Sequence, residues 1–171
     1  MRVLVTVASR HGATREMGSV VAATLRAGGH DVDEREPDDV EHVEPWDAVV
    51  LGSAVYVGRL APGLRDMVER QAGQLRQRPS WLFWSGPVGD PPLPTTVPDD
   101  VAAVARTTGV RDVAAFVGRL DRAGLTLAER ALVALTQAEP GDFRDLDAVA
   151  AWARGIDRAL REIEQAAERD A

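Results

Sequence analysis

The chain has 171 residues, of which 45% are hydrophobic and 27% are charged, and its formal net charge is −7. This composition predicts a single globular domain over residues 1–171 and argues against global disorder. The acidic balance argues against a nucleic-acid partner. Because the chain has no cysteine, disulfides, thiolate nucleophiles, iron–sulfur clusters and cysteine zinc sites are excluded.

The three histidines, at positions 11, 30 and 42, show no metal-motif spacing. The sequence opens on an apolar run and lacks the basic region and apolar core of a signal peptide. No stretch approaches the roughly 20 apolar residues that cross a bilayer. We therefore expect a cytoplasmic protein with no transmembrane segment and no bound metal.

The first part of the chain alternates strand and helix patterns. Residues 2–8 form a nearly continuous apolar run, typical of a strand buried on both faces. Residues 14–27 repeat apolar side chains every three or four positions, which predicts a helix that the glycines at 28–29 end. Residues 30–36 are typical of a polar edge strand, and 46–53 predict a second buried strand that ends at its final Gly-Ser pair.

The second part continues the alternation. In chain order the sequence predicts a helix over 62–77, a strand over 79–84, a Gly/Pro-rich loop, a helix over 101–109, a strand over 111–117, and helices over 126–137 and 145–168. We find no internal repeat and no linker that would divide the chain into domains.

Strands that alternate with helices at this spacing predict right-handed βαβ units and an α/β fold with helices on both faces of a parallel sheet. Five such strands fit a doubly wound sheet in the order 2-1-3-4-5 better than a six-stranded dinucleotide-binding sheet. Such sheets bind ligands at the carboxyl ends of their strands, at the switch point between strands 1 and 3. The candidate site therefore comprises the segments 9–14, 53–60 and 85–95.

The first of these segments, SRHGAT, carries more polar side chains than a connector needs. A helix N-terminus presents unpaired N–H groups and a partial positive charge, so it readily binds phosphate. Gly12 allows close approach of the backbone, and Ser9 and Thr14 offer hydroxyl donors. The segment is neither a Walker A loop nor a GxGxxG motif. The alternative is a plain capped helix start, with Thr14 and Glu16 as the caps.

The other two segments add an aromatic residue and a flexible backbone. Tyr56 is the only tyrosine of the chain, and at this edge it suits either a flat aromatic ligand or half-buried packing. The third segment directly follows Trp84 and contains glycines on both sides of a proline, so its backbone amides are available to a polar ring edge. Trp84 fits the ligand or the core equally well, whereas Trp81 favours the core.

Together the three segments resemble the flavodoxin superfamily. Ser9-x-His11-Gly12-x-Thr14 is similar to the loop that holds the FMN phosphate in that family, although His11 stands where a hydroxyl residue is usual. A closer resemblance is to the flavodoxin-like menaquinone-dependent protoporphyrinogen oxidases and their actinobacterial relatives. It is carried by SRHGATREM, GSAVYVGRL, FVGRLDRAG and DFRD-x-D-A-V, and spans almost the whole chain. GLTLAERALVALTQ departs from that branch, whose corresponding helix is basic and aromatic.

The resemblance implies a flavodoxin-like three-layer sandwich around a five-stranded parallel sheet, with FMN as the cofactor. It implies no general base or nucleophile, since FMN carries the redox chemistry. The residues expected to bind the cofactor are Ser9, Arg10, His11, Gly12, Ala13, Thr14, Ser53, Ala54, Val55, Tyr56, Val57, Gly58, Trp84, Ser85, Gly86, Pro87, Val88 and Gly89.

Three functions stay open at this point. The first is an FMN-dependent oxidoreductase that passes electrons or hydride from a small organic donor to a quinone-like acceptor, with protoporphyrinogen suggested only by the resemblance. The second is a flavodoxin electron carrier that docks to protein donors and acceptors, and the third is a family member without flavin. Carriers usually show a dense acidic rim, whereas 53–60 holds no acid and 85–95 only Asp90. This favours the enzyme. The oligomeric state stays open, with a homodimer as one option.

Overall fold

The computed structural model describes residues 1–56, 58–86, 96–120, 130 and 141–169. The strands are β1 (Arg2–Ala8), β2 (Asp31–Arg35), β3 (Ala48–Tyr56), β4 (Arg59–Leu60), β5 (Ser80–Ser85), β6 (Val113–Phe116), β7 (Arg119–Leu120) and β8 (Gly141–Asp142). The α-helices are α1 (Ala13–Ala27), α2 (Pro62–Leu75), α3 (Asp99–Thr108) and α4 (Leu146–Arg169).

Five of these strands form one parallel sheet in the order β2-β1-β3-β5-β6. This confirms the predicted doubly wound order 2-1-3-4-5, since β4 is a short addition that pairs antiparallel with β3. The edge strand β2 is the most polar of the five, as its sequence predicts. The carboxyl ends of β1, β3 and β5 lie side by side, because Ala8 pairs with Ser53 and Ser53 with Trp84.

Side chains of the sheet alternate between two apolar layers, because successive residues of a strand point to opposite faces. On one face, strand side chains such as Val5 and Phe83 pack with Met17 of α1 and Ile156 of α4. The opposite layer packs against α2 and α3, and it includes Leu4, Leu51, Leu82, Trp84, Leu64, Met67 and Val101. The result is the predicted three-layer α/β sandwich.

The third strand is longer than its sequence predicts. It continues to Tyr56 rather than ending at the Gly52–Ser53 pair. Gly52 is a packing position, because a Cβ there would come within 2.5 Å of the Phe83 ring and 2.9 Å of Val7 Cγ2. Most of the predicted loop 53–58 is therefore strand, and a tight turn with Gly58 at φ +74° leads directly into β4.

Other differences are smaller. The described helices begin and end within about two residues of their predicted bounds. Trp81 is buried in the core, as its sequence predicts. Arg119 and Leu120 pair with Asp142 and Gly141 in a two-stranded ribbon that the sequence patterns do not predict. The predicted helix over 126–137 lies outside the described residues, apart from Arg130.

Two further expectations concern absences. Within the described ranges, no helix is long and apolar enough to cross a membrane. The same part of the chain brings together no group of three acidic, histidine or cysteine side chains able to hold a metal ion.

Gly52→Ala should destabilise the fold, because its methyl group would overlap the Phe83 ring, and overpacking of this kind costs about 1–3 kcal/mol. Gly73→Ala is the matched control, since Gly73 is exposed on α2 and a Cβ there meets nothing within 4 Å. That change should stabilise α2 by about 0.5–1 kcal/mol. Urea unfolding measures both free energies, and an undiminished stability of Gly52→Ala would contradict the packing argument.

Candidate functional site

The turn between β1 and α1 presents the first amides of the helix to the sheet edge. The first helical hydrogen bond runs from Glu16 N to Gly12 O over 3.0 Å, so the amides of Ala13, Thr14 and Arg15 precede it. Gly12 has a φ of +83°, and a Cβ built on it would meet nothing within 4 Å. A left-handed backbone of this kind favours glycine. The helix start therefore offers these amides and its positive dipole end, and the described residues leave the space beside Gly12 open.

Thr14 and Ser9 have roles that differ from the predicted ones. No side chain caps α1, which corrects the alternative in which Thr14 and Glu16 are caps. Instead, Thr14 Oγ1 lies 2.8 Å from Ser85 Oγ at the end of β5, and both side chains are buried. Ser9 Oγ accepts a hydrogen bond from Gly12 N over 3.1 Å and closes the turn. The hydroxyl pair thus joins the first and third segments of the predicted site.

Among the residues that the structure describes, the pair also has one donor without an acceptor. Two hydroxyls that bond to each other use one hydrogen between them, so the hydrogen of the accepting hydroxyl is available to a third group. Thr14 and Ser85 are 2% and 5% exposed, so an unused donor there is costly unless an acceptor enters the site. The position favours an acceptor-only ligand in front of α1.

Tyr56 connects the second segment to the first. Its half-buried ring meets the ring of His11 edge-on at a centroid distance of 5.9 Å. The guanidinium carbon of Arg10 lies 5.7 Å from the centroid of the Tyr56 ring, within cation–π range. Tyr56 is therefore half-buried against His11 and Arg10, and its role toward a ligand stays a prediction.

Alternation along β3 and β5 divides the predicted site residues between the two faces. Ala54, Tyr56 and Ser85 lie on the face that carries α1. Val55 and Trp84 are buried in the opposite apolar layer. Because Ser53 shares their face, its hydroxyl accepts a hydrogen bond from Ala61 N over 3.0 Å, at the start of α2, and donates to Ala54 O.

A carboxylate that sequence reasoning missed holds the turn after Tyr56. Asp100 in the first turn of α3 accepts hydrogen bonds from Leu60 N over 3.2 Å and from Arg59 Nε over 3.1 Å. Both donors belong to β4, so Asp100 ties the hairpin that carries Tyr56 to a helix of the scaffold. The sequence shows the acidic residues at the start of α3, but it does not show that Asp100 would meet Arg59, 41 positions earlier.

The β7–β8 ribbon brings a second unpredicted group of charges to the start of α1. Arg144 forms two hydrogen bonds with the Asp142 carboxylate, over 2.8 and 2.7 Å, and donates a third to Glu16 Oε2. Arg119 Nη1 lies 3.8 Å from Glu16 Oε1, and its Nη2 lies 3.5 Å from the carbonyl oxygen of His11. The ribbon is thereby tied to the turn that the sequence predicts to bind phosphate.

These contacts shift the pKa values of Asp142 and Arg144. The hydrogen bonds from Arg144 hold the pKa of the Asp142 carboxyl below its usual value, since they favour the charged form. Hydrogen bonds to Asp142 and Glu16 in turn raise the pKa of the Arg144 guanidinium. Both groups therefore carry their charges at neutral pH.

The remaining predicted binding residues lie at the end of β5 and in the segments around it and after β3. Gly86 sits where a Cβ would come within 3.0 Å of Val55, so the chain is closely packed there. Val57, Pro87, Val88 and Gly89 lie outside the described residues. The binding role of every predicted site residue stays a prediction.

A family model described as "Flavodoxin domain" matches residues 4–147. The chain belongs to the flavodoxin domain family. A curated relative, the protoporphyrinogen IX dehydrogenase (quinone) of Escherichia coli strain K12, is 29% identical over 85 residues, which make up 48% of this chain and 47% of the relative. The flavodoxin-family chain thus matches about half the length of that enzyme.

Solved structures agree on the flavodoxin fold. A flavodoxin from the domain Archaea superposes with a TM-score of 0.57 at 15% identity, covering 80% of this chain and 97% of that one. The rubredoxin oxygen:oxidoreductase of Desulfovibrio gigas superposes with a TM-score of 0.62 at 17% identity, covering 94% of this chain and 36% of that one. At these identities the likeness shows the fold alone.

Asp142→Asn should change how stability depends on pH. Because the folded pKa of Asp142 lies below its ordinary value of 3.8, its stabilising effect is complete above the unfolded pKa and is lost as pH falls through the folded pKa. We expect the wild-type unfolding free energy to drop more steeply than that of the variant between about pH 5 and pH 2. Denaturant unfolding across this range measures both profiles.

Asp66→Asn serves as the control for that experiment. Asp66 is exposed on α2 and forms no hydrogen bond or ion pair with any residue that the structure describes. Its variant should keep the steep acid-side loss of the wild type. Parallel profiles for wild type and Asp142→Asn would contradict the ion pair.

Proposed function

We propose that this chain is an FMN-dependent oxidoreductase that transfers electrons or hydride from a small organic donor to a quinone-like acceptor. The observation that carries the proposal is the buried hydroxyl pair of Thr14 and Ser85 beside the N-terminus of α1. Membership of the flavodoxin domain family supports the same cofactor. The proposal treats residues 1–171 as one cytoplasmic domain.

The residues at the start of α1 fit a phosphate monoester. The amides of Ala13, Thr14 and Arg15 point donors at the space in front of the helix, and the helix dipole favours an anion there. The second hydrogen of the Thr14–Ser85 pair, which meets no acceptor in the described part of the chain, suits an oxygen that only accepts. Gly12 gives the turn its left-handed backbone at φ +83°, and no described atom lies within 4 Å of a Cβ added there. We assign the phosphate of FMN to this turn.

The segments after β3 and β5 would hold the flavin ring. When bound, FMN supplies reversible uptake of two electrons, and the protein orients and tunes it. Tyr56 offers an aromatic ring on the α1 face of the sheet, and its hairpin is fixed to the scaffold by Asp100. Ala54, two residues before Tyr56 on the same face of β3, carries only a small side chain.

The charges at this edge favour an enzyme over a carrier with an acidic rim. Arg10 and Arg59 are exposed next to Tyr56 and at the end of its hairpin. The curated relative, which this chain matches over about half of the relative's length, is a dehydrogenase whose name includes a quinone. That name supports a quinone-like acceptor here. Protoporphyrinogen IX as the donor rests on that relative alone, so it enters the proposal as the first donor to test.

The cofactor is tested by the absorbance of the purified protein. We expect bands of oxidised flavin and release of FMN on heating, or uptake of added FMN by colourless protein. Failure of both would overturn the proposal. Stepwise reduction then separates the two flavin functions, because turnover of a quinone with direct two-electron reduction supports the enzyme. Two well-separated one-electron steps without quinone turnover would instead identify a carrier.

Thr14→Val should weaken FMN binding while leaving riboflavin binding nearly unchanged, because the lost hydroxyl lies at the phosphate end. A hydrogen bond to a charged group contributes about 1.5–3 kcal/mol, which corresponds to roughly a 10- to 150-fold higher Kd. Fluorescence titration of the apoprotein with each flavin measures the affinities. Thr24→Val is the matched control, since Thr24 lies near the other end of α1 and bonds Val20 O. An FMN affinity equal to that of the control would refute the phosphate assignment.

A further inference from the structure

Glu16 poses an electrostatic problem for a phosphate site at the start of α1. Its carboxylate belongs to the first turn of that helix, where the helix dipole attracts one negative charge. A phosphate in front of the same turn is a second anion in the same field, so the two repel each other. Half of the Glu16 side chain is exposed, at 52%, which weakens the repulsion without removing it.

Two arginines from the β7–β8 region meet this carboxylate. Arg144 reaches Glu16 Oε2 with one guanidinium nitrogen, and Arg119 approaches Glu16 Oε1 at 3.8 Å. Together with Asp142, the group contains two positive and two negative side chains, so it is formally neutral. Without Arg144, the same group would carry one net negative charge beside the helix start.

The Arg144 guanidinium is fixed in its orientation toward Glu16 by burial and by Asp142. Its side chain is only 8% exposed, whereas Arg119 is 33% exposed. Asp142 accepts from Arg144 Nε and Nη2, a two-point contact that fixes the plane of the guanidinium. The remaining nitrogen, Nη1, therefore faces Glu16.

We propose that Arg144 is a positioning residue for the cofactor phosphate, acting through Glu16. It neutralises the carboxylate in the first turn of α1, with Arg119 as the weaker second cation, and so lets the turn accept a doubly charged phosphate monoester. The inference rests on the proposed FMN function. It further predicts that Arg144 sets the preference for a phosphorylated over an unphosphorylated flavin.

A purely structural role for Arg144 makes a different prediction. If the arginine only joined the ribbon to α1, its loss would disturb FMN and riboflavin binding alike. Removing the Glu16 charge would then restore nothing, because the link between ribbon and helix would still be broken. Comparison of the two flavins and the double variant distinguishes the explanations.

The experiment measures FMN and riboflavin affinities of the apoprotein for wild type, Arg144→Met, Glu16→Gln and the double variant. Methionine keeps the apolar part of the buried side chain and removes the charge. Arg144→Met should raise the Kd for FMN about 5- to 30-fold, the upper part of the range for one charge at a helix terminus, because the Arg144 side chain is only 8% exposed. Riboflavin affinity should change less than about twofold, because riboflavin has no phosphate for the Glu16 carboxylate to repel. The double variant should bind FMN within about threefold of wild type, because no unpaired carboxylate remains.

Two further measurements keep the test sharp if Arg144→Met fails to fold. Arg119→Met removes the more exposed cation, so it should weaken FMN binding in the same direction by a smaller factor. Arg144→Lys keeps the charge and loses the two-point contact, so it should retain most of the FMN affinity. The loss in each charge-removing variant should shrink as salt rises from about 0.05 to 0.5 M.

The outcomes separate this inference from the function on which it rests. Wild-type protein that binds no FMN would overturn both. Wild-type binding together with an unchanged FMN affinity in Arg144→Met, or with equal losses for both flavins, would overturn the inference alone. If Glu16→Gln does not restore FMN binding to the Arg144→Met variant, the inference is also overturned.

Discussion

The pairing register of β1, β3 and β5 is the constraint on which the site depends. Ala8 lies opposite Ser53, and Ser53 opposite Trp84, so three strands end side by side at one edge. Because side chains alternate along each strand, the register also decides which of them meet α1. A shift of one residue in β5 would turn Ser85 away from Thr14 and bury its hydroxyl in the opposite apolar layer.

Around this edge the chain combines a rigid scaffold with short, tied turns. Ser9 closes the first turn, Asp100 fixes the hairpin after Tyr56, and Arg144 ties the ribbon to α1. Each tie is a hydrogen bond from or to a charged or hydroxyl side chain, and each lies at a turn, a short hairpin or a helix start. A site built in this way is organised before any ligand arrives, which reduces the entropy lost on binding.

The charge distribution at the site differs from that of the whole chain. The net charge is −7, yet arginines surround the start of α1 and the Tyr56 hairpin, paired there with a few carboxylates. Such pairing suits the binding of an anionic cofactor by an acidic protein, because local fields rather than net charge act over the few ångströms of a binding site. It also explains why net charge alone said little about function.

Apolar periodicity and glycine placement in the sequence determined the five parallel strands and their order, and they predicted a candidate site at the switch point. These features are local or follow from general rules of chain crossing. The tertiary structure alone decided that Ser85 meets Thr14, that Ser53 holds α2, and that Arg144 and Arg119 reach Glu16. All of these contacts except the one made by Ser53 join elements that are distant along the chain. Ser53 bonds to the nearby Ala61, but its side-chain direction was not predicted, because the predicted strand ended at Gly52–Ser53 whereas β3 continues to Tyr56. Sequence spacing carries no record of such partners, because they are set by register and packing across the whole fold.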